Sequence, residues 1–325
     1  MNKNITTNEF EYKFLRNKRR VLNVALNINN SYSMQAGVVI TSAVMNSKNV
    51  GFVFHIFMDS IDENNRNLFC KLAELFSVNI YIYIVDVELF KGFGAEKTRF
   101  TAVSLFRLCM SEVLNKTTDR FLYLDADVLC LDDLSMFLDM DFGESIVVAV
   151  PDLAKYRLEE WEIKNGKYFN SGVLLVSCHN WAKESITEKV FAFKERLDAR
   201  IKYPDQDILN IVLNGKVKYL DKRYNFFGFY GTTLQSDCVI YHFIGREKPW
   251  NIAVRDIEKK WRYYLSNTPW PYIEEELPRK VAKNYFYFKN AALYYYQKKK
   301  FVDALKLYCW YGWLKMCNLF FKSKS

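Results

Sequence analysis

Residues 121–127 read Phe-Leu-Tyr-Leu-Asp-Ala-Asp: a short run of strand-forming side chains that ends in two carboxylates, Asp125 and Asp127. Side chains on a strand alternate with a period of two, so positions i and i+2 share a side. The two acids are therefore expected on one side of the chain, where their oxygens suit a hard divalent cation that carries substrate phosphates. Aspartates at a strand end also serve simply to begin a turn. These seven residues alone leave both readings open.

Working outward, short β-rich runs alternate with helical patterns. Val21–Ile28 precedes a helix over Ala36–Asn46, Val50–Met58 precedes one over Glu63–Phe76, and Ile80–Val85 precedes one over Ala102–Leu114. Such alternation predicts βαβ units, an α/β fold and a mainly parallel sheet. Ligands of open α/β sheets gather beyond the carboxyl ends of strands, which is where Asp125 and Asp127 fall. Later apolar runs, Ile146–Val150, Gly172–Ser177 and Val239–Phe243, are separated by longer connections. Three regions follow: a polar, basic lead-in over residues 1–20, an α/β body over 21–270, and an aromatic, Lys-rich segment over 271–325. Pro269, Pro271 and Pro278 punctuate the last change.

With 325 residues, half of them hydrophobic and 26% charged, the chain is long and apolar enough to bury a core. The net charge of +9 invites a nucleic-acid reading, but residues 281–325 carry nine Lys against one acid, Asp303, and so hold +8 of it. A body near neutrality is not a surface built to neutralise phosphates, and no nucleic-acid partner is expected. Seven Cys without CxxC spacing favour a reducing, cytoplasmic compartment. No signal peptide is visible at the start, and no stretch is apolar enough to span a membrane.

Three further segments carry chemistry. Tyr168-Phe-Asn-Ser-Gly-Val-Leu-Leu175 sets Asn170 and Gly172 before an apolar strand, as where backbone approaches a ligand closely. Tyr203-Pro-Asp-Gln-Asp-Ile-Leu-Asn210 crowds Asp205 and Gln206 at a helix start, where Asp205 also has an ordinary explanation as a helix cap. Ile240-Tyr-His-Phe-Ile-Gly-Arg-Glu-Lys-Pro-Trp250 ends a strand on His242 and follows it with Gly245 and Lys248. An imidazole nitrogen added to two carboxylates shifts metal preference from Mg²⁺ toward Mn²⁺, and a Lys beside an open Gly suits phosphate; taken singly, a His ending a strand is more often structural and a Lys is usually solvated.

In this order, LYLDADV, YFNSGVLLV, YPDQDILN and HFIGREKPW resemble the retaining glycosyltransferases of family 8, most of all the bacterial lipopolysaccharide core glucosyl- and galactosyltransferases. The resemblance implies a GT-A fold, an α/β fold to which the aromatic, Lys-rich residues 271–325 add a C-terminal helical extension. It implies a UDP-sugar donor and a divalent cation, Mn²⁺ or Mg²⁺, held by Asp125, Asp127 and His242. By the same resemblance Gly245 and Lys248 stand where the family holds phosphate, while Arg107, Asn170, Asp205 and Gln206 line the donor sugar. Asp205 and Gln206 are the catalytic candidates. The family's Asp-x-Asn-Tyr segment, which holds uridine, is Asn29-Asn30-Ser31-Tyr32 here; Asn29 keeps an acceptor oxygen without the charge, and Tyr32 keeps a ring to stack on the base.

The expected activity is transfer of glucose or galactose to the lipopolysaccharide core at the cytoplasmic face of the inner membrane. A family member with a protein or polysaccharide acceptor, and a non-catalytic relative that binds sugar or membrane, are the alternatives. Residues 281–325 mix 14 aromatics with nine Lys and suit a segment lying on an anionic membrane, unless the aromatics simply pack on the body.

Overall fold

The computed structural model describes residues 5–16, 20–93, 101–154, 156–161, 163, 166–196, 200–227, 234–245, 248–273 and 285–322. Pro278, and Arg246 and Glu247 of the last motif, lie outside the described residues. The chain divides into two compact units, Met1–His242 with Thr268–Trp270, and Phe243–Asn267 with Pro271–Ser325.

The strands of the first unit are β1 (Thr6–Lys13), β2 (Val21–Ile28), β3 (Gly51–Met58), β4 (Asn79–Val85), β5 (Arg120–Leu124), β6 (Val128–Cys130), β7 (Val147–Pro151), β8 (Phe169–Ser177), β9 (Val217–Tyr219) and β10 (Ile240–His242). The main sheet runs β1-β4-β3-β2-β5-β8-β7-β9, and β6 pairs with β10. As expected, β2, β3 and β4 are parallel and joined by α1 (Ser33–Asn46) and α2 (Glu63–Phe76). β5 adds in parallel to the other side of β2, so the strand order reverses there. A crevice opens at such a reversal. Asn29 leaves the end of β2 and Asp125 the end of β5, side by side at that crevice. β8 runs antiparallel to β5 with Leu124 opposite Val173, which returns residues 170–172 to the same edge.

Three differences from the sequence reading follow from local chemistry. The sheet is mixed, since β1/β4, β5/β8 and β7/β8 are antiparallel; a run as apolar as Phe169–Ser177, buried at all nine positions, fits a central strand in either direction. The lead-in over residues 1–20 contributes β1, an edge strand whose outward Glu9, Glu11 and Lys13 make it look like a polar tail while protecting the sheet edge. The helix expected over 102–114 is a 3₁₀ stretch, Ala102–Leu108, followed by α3 (Met110–Leu114). There Asn27 Nδ2 donates to the Val103 carbonyl and Arg107 Nε to that of Ser104, taking carbonyls that an α-helix would use itself.

The remaining helices of this unit are α4 (Met136–Asp139), α5 (Tyr156–Glu160), α6 (Cys178–Lys183), α7 (Ile186–Phe193) and α8 (Pro204–Val212). Phe57, Phe106, Tyr123 and Trp181 are among the large buried side chains of its core. In the second unit, α9 (Asp256–Leu265) buries Ile257, Trp261 and Leu265, and Arg262 donates to the carbonyls of Pro249, Trp250 and Ile273. α10 (Tyr285–Gln297) and α11 (Phe301–Lys322) form a hairpin across Lys298–Lys300, with Phe288 stacked on Trp310 at 6.2 Å and Tyr285 against Tyr311 at 5.8 Å. Among the described residues no helix is long and apolar enough to cross a membrane.

Candidate active site

β5 ends at Leu124, and Asp125-Ala-Asp127 is a turn before β6, closed by Val128 N donating to the Asp125 carbonyl at 3.3 Å. The two acids therefore face one way because of a turn; the strand alternation expected from sequence does not extend to them. β6 pairs antiparallel with β10 so that Val128 lies opposite His242. That register delivers the imidazole from more than a hundred residues away. His242 Nε2 lies 3.1 Å from Asp127 Oδ1 and 3.7 Å from Asp125 Oδ2, and one ligand atom from each of the three residues falls within 4.8 Å of the others.

The surroundings orient the Asp125 carboxylate toward His242. Asp125 Oδ1 accepts from Arg107 Nη2 at 2.7 Å and lies 2.6 Å from the Tyr123 hydroxyl, so Oδ2 is the oxygen turned to His242. The Tyr123 hydroxyl has one proton and two acceptors, Asp125 Oδ1 and Asn27 Oδ1 at 2.5 Å, and serves one at a time. Gly172 explains the close quarters: a Cβ there would stand 2.2 Å from His242 Cε1 and 2.7 Å from Asp125 Oδ2. The close approach inferred for Gly172 is thus to the triad itself. Two carboxylate oxygens and an imidazole nitrogen, with room kept beside them by a glycine, fit Mn²⁺ or Mg²⁺.

Arg107 is buried and sits between two acids. Its Nη1 donates to the Ser171 carbonyl at 2.9 Å and lies 3.1 Å from Asp205 Oδ2, while Nη2 holds Asp125. Burial works against the Arg107 charge, but Asp125 and Asp205 outweigh it and raise its pKa. Burial also raises the Asp205 carboxyl above its ordinary value and the Asp125 charge adds to this, against Arg107 and the Ser171 hydroxyl, which donates to Asp205 at 2.9 Å. Asp205 does not cap α8. The residue that ties down the helix start is Asp207, whose Oδ2 accepts from Lys202 N at 2.9 Å and Tyr203 N at 3.0 Å and pairs with buried Arg157 at 2.5 Å.

Gln206 has one possible amide orientation. The Ser171 N–H can only donate, and it reaches Gln206 Oε1 at 3.0 Å; Asn170 Nδ2 donates to the same oxygen at 3.2 Å, and Gln206 Nε2 donates to Asp152 Oδ2 at 3.3 Å. Asn29 spends its oxygen locally, accepting from Ser31 Oγ at 2.7 Å and Tyr32 N at 3.2 Å. The Tyr32 ring is 38% exposed, and its hydroxyl is raised by burial and by the charge of Asp127, so it lies on the metal side of the crevice. Gly245 and Lys248 belong to the second unit. Gly245 has φ +90° and nothing within 4 Å of where a Cβ would stand, while Lys248 Nζ donates to the Phe243 carbonyl at 2.5 Å.

Residues 23–253 match the sequence model of glycosyl transferase family 8. The chain belongs to that family. The lipopolysaccharide 1,2-glucosyltransferase of Escherichia coli K12 is 30% identical over 293 residues, 84% of this chain and 85% of the relative. The lipopolysaccharide 1,3-galactosyltransferase of Salmonella typhimurium LT2 is 27% identical, across 89% of this chain and 90% of its own length. Among solved structures, the galactosyltransferase LgtC in complex with donor and acceptor sugar analogues superposes with a TM-score of 0.67 at 25% identity, covering 77% of this chain and 97% of that one. The fold is GT-A-like.

Two side chains beside this candidate site are missing from the sequence reading. Asn225, fully buried, sits 3.0 Å from His242 Nδ1, and Asp152 holds the amides of Asn170 and Gln206. Asn225 ends a short 3₁₀ helix, Lys222–Asn225, and Asp152 directly follows β7, neither with a motif spacing to mark it.

Proposed function

We propose that this family 8 chain is a retaining hexosyltransferase that moves glucose or galactose from a UDP-sugar to the lipopolysaccharide core. The observation that carries the reading is the Asp125, Asp127 and His242 group at the carboxyl edge of the sheet. The relatives named for lipopolysaccharide glucosyl and galactosyl transfer support the acceptor.

A bound Mn²⁺ or Mg²⁺ supplies electrostatic stabilisation to the negative charge that grows on departing UDP. Asp125 and Asp127 offer it oxygens and His242 offers Nε2. Tyr32 stacks on uracil and Asn29 holds its loop. Gly245 and Lys248 are assigned to the diphosphate on their match to the family motif. Arg107, Asn170, Asp205 and Gln206 form the sugar end. As the bond from the anomeric carbon to UDP breaks, positive charge gathers on that carbon and is steadied by the Gln206 carbonyl dipole and the Asp205 carboxylate. The acceptor hydroxyl attacks from the face UDP leaves, and its proton passes to a phosphate oxygen. Asp205 is already held by Arg107 and Ser171, which supports this front-face course over attack by its carboxylate.

The exposed apolar side chains of α11, Phe301, Leu305, Trp310, Trp313 and Met316, stand with Lys306 and Lys315 on one helix, which supports peripheral attachment to the cytoplasmic face of the inner membrane. To test the activity, purified protein is offered UDP-glucose and UDP-galactose with Mn²⁺ and truncated core acceptors. Product is expected with one hexose and retained configuration, and Asp127→Ala is expected to lower turnover by about a thousandfold or more. Full activity of that variant, or a glycosyl adduct trapped on Asp205, overturns the scheme.

A further inference from the structure

A chain of buried amides leads from the sugar end of the site to the metal end. Asn170 Nδ2 donates to Gln206 Oε1 at 3.2 Å, and Asn170 Oδ1 accepts from the Gly172 N–H at 3.0 Å and from Asn225 Nδ2 at 2.9 Å. The Gly172 N–H can only donate, so Asn170 Oδ1 is fixed as an acceptor, and its partner on Asn225 must be the NH₂ group. Asn225 therefore presents its carbonyl oxygen to His242 Nδ1, 3.0 Å away. Nδ1 carries the ring proton, and the Nε2 lone pair is left pointing at Asp127 and Asp125. The backbone reinforces the aim. The His242 N–H donates to the Phe226 carbonyl, next in sequence to Asn225, and Phe227 sets its ring edge-on to the imidazole.

We infer that Asn225 is a positioning residue of the metal centre: it acts through His242, fixes the tautomer that ligates, and ties that ligand through Asn170 to Gln206. It touches neither cation nor sugar. A metal-bound imidazole whose second nitrogen is held by an outer partner binds more tightly, and losing such a partner weakens metal affinity by about 10–100-fold. The inference rests on the reading that Asp125, Asp127 and His242 hold a divalent cation.

Two substitutions separate the parts of the claim. Asn225→Leu removes the acceptor at Nδ1. Asn225→Asp restores an acceptor but offers no NH₂ to Asn170. The chain has three His, so the ¹⁵N ring signals of His242 are resolved by comparison with His242→Gln. In metal-free protein the wild type and Asn225→Asp are expected to show the Nδ1–H form and Asn225→Leu a mixture. Titration with Mn²⁺ alone, followed by the paramagnetic signal of the free ion, is expected to give affinity reduced about 10–100-fold in Asn225→Leu and returned to within a few-fold of wild type in Asn225→Asp. Wild-type affinity and tautomer in Asn225→Leu, with binding abolished in Asp127→Ala, overturn the role of Asn225 and leave the metal reading intact. Unchanged Mn²⁺ affinity in Asp127→Ala overturns the metal reading on which the inference stands.

Discussion

A methyl group at position 172 would fall 2.2 Å from the His242 ring and 2.7 Å from Asp125 Oδ2, closer than side-chain atoms approach. Gly172→Ala is therefore expected to push His242 off its ligating position. Mn²⁺ affinity measured by titration should fall about tenfold or more, and unchanged affinity would show that the ring is not where the cation binds. Single residues of this site were legible in sequence wherever a motif held them together. Asp125 and Asp127 stand two apart, Asp205 and Gln206 are adjacent, and Gly172 follows Asn170 by two. Arg107 lines the sugar end by resemblance to the family motif, and its guanidinium pairs with both Asp125 and Asp205. Asn225 was not legible, because its role depends on a hydrogen bond to a residue 17 positions later.

At the scale of elements, the βαβ alternation through β4 was readable because each buried parallel strand leaves a short, nearly continuous apolar run followed by a helix-length segment. β1 was not, since an edge strand exposes half its residues and here fills them with Glu and Lys. The Lys-rich hairpin divides between the two readings of its aromatics. Phe288 is buried while its partner Trp310 is half exposed, and Trp313 and Met316 lie outward. These outward side chains, with Lys306 and Lys315 on the same helix, are the ones on which the proposed attachment to anionic lipid rests. Replacing Trp313 and Met316 by Ser is expected to cut partition onto phosphatidylglycerol vesicles about tenfold with no change in thermal unfolding. Partition equal to wild type would assign α11 to some other role.

Across the whole molecule, stability should carry the mark of His55 on β3. Its two ring nitrogens lie 3.0 Å from the Tyr83 hydroxyl and from Asn23 Oδ1, and burial lowers its pKa to about 3. The folded state then binds the proton less well than the unfolded one, whose His titrates near 6.5. The stabilisation from a neutral His55 is complete above that value and is lost as pH falls toward 3, with a slope of up to about 1.4 kcal/mol per pH unit. Urea midpoints between pH 7 and 4 should fall less steeply in His55→Gln, and parallel curves would remove His55 as the cause. The topology builds the site: β2 and β5 meet where the strand order reverses, β8 returns antiparallel to β5, and β6 pairs with β10, so residues scattered from Asn29 to His242 share one edge. The most direct test of the account is a crystal grown with Mn²⁺ and UDP and measured at the manganese absorption edge. An anomalous peak within about 2.5 Å of Asp125, Asp127 and His242 Nε2, in contact with the diphosphate, is the expected result. A peak elsewhere, or the three side chains turned apart around bound UDP, would contradict it.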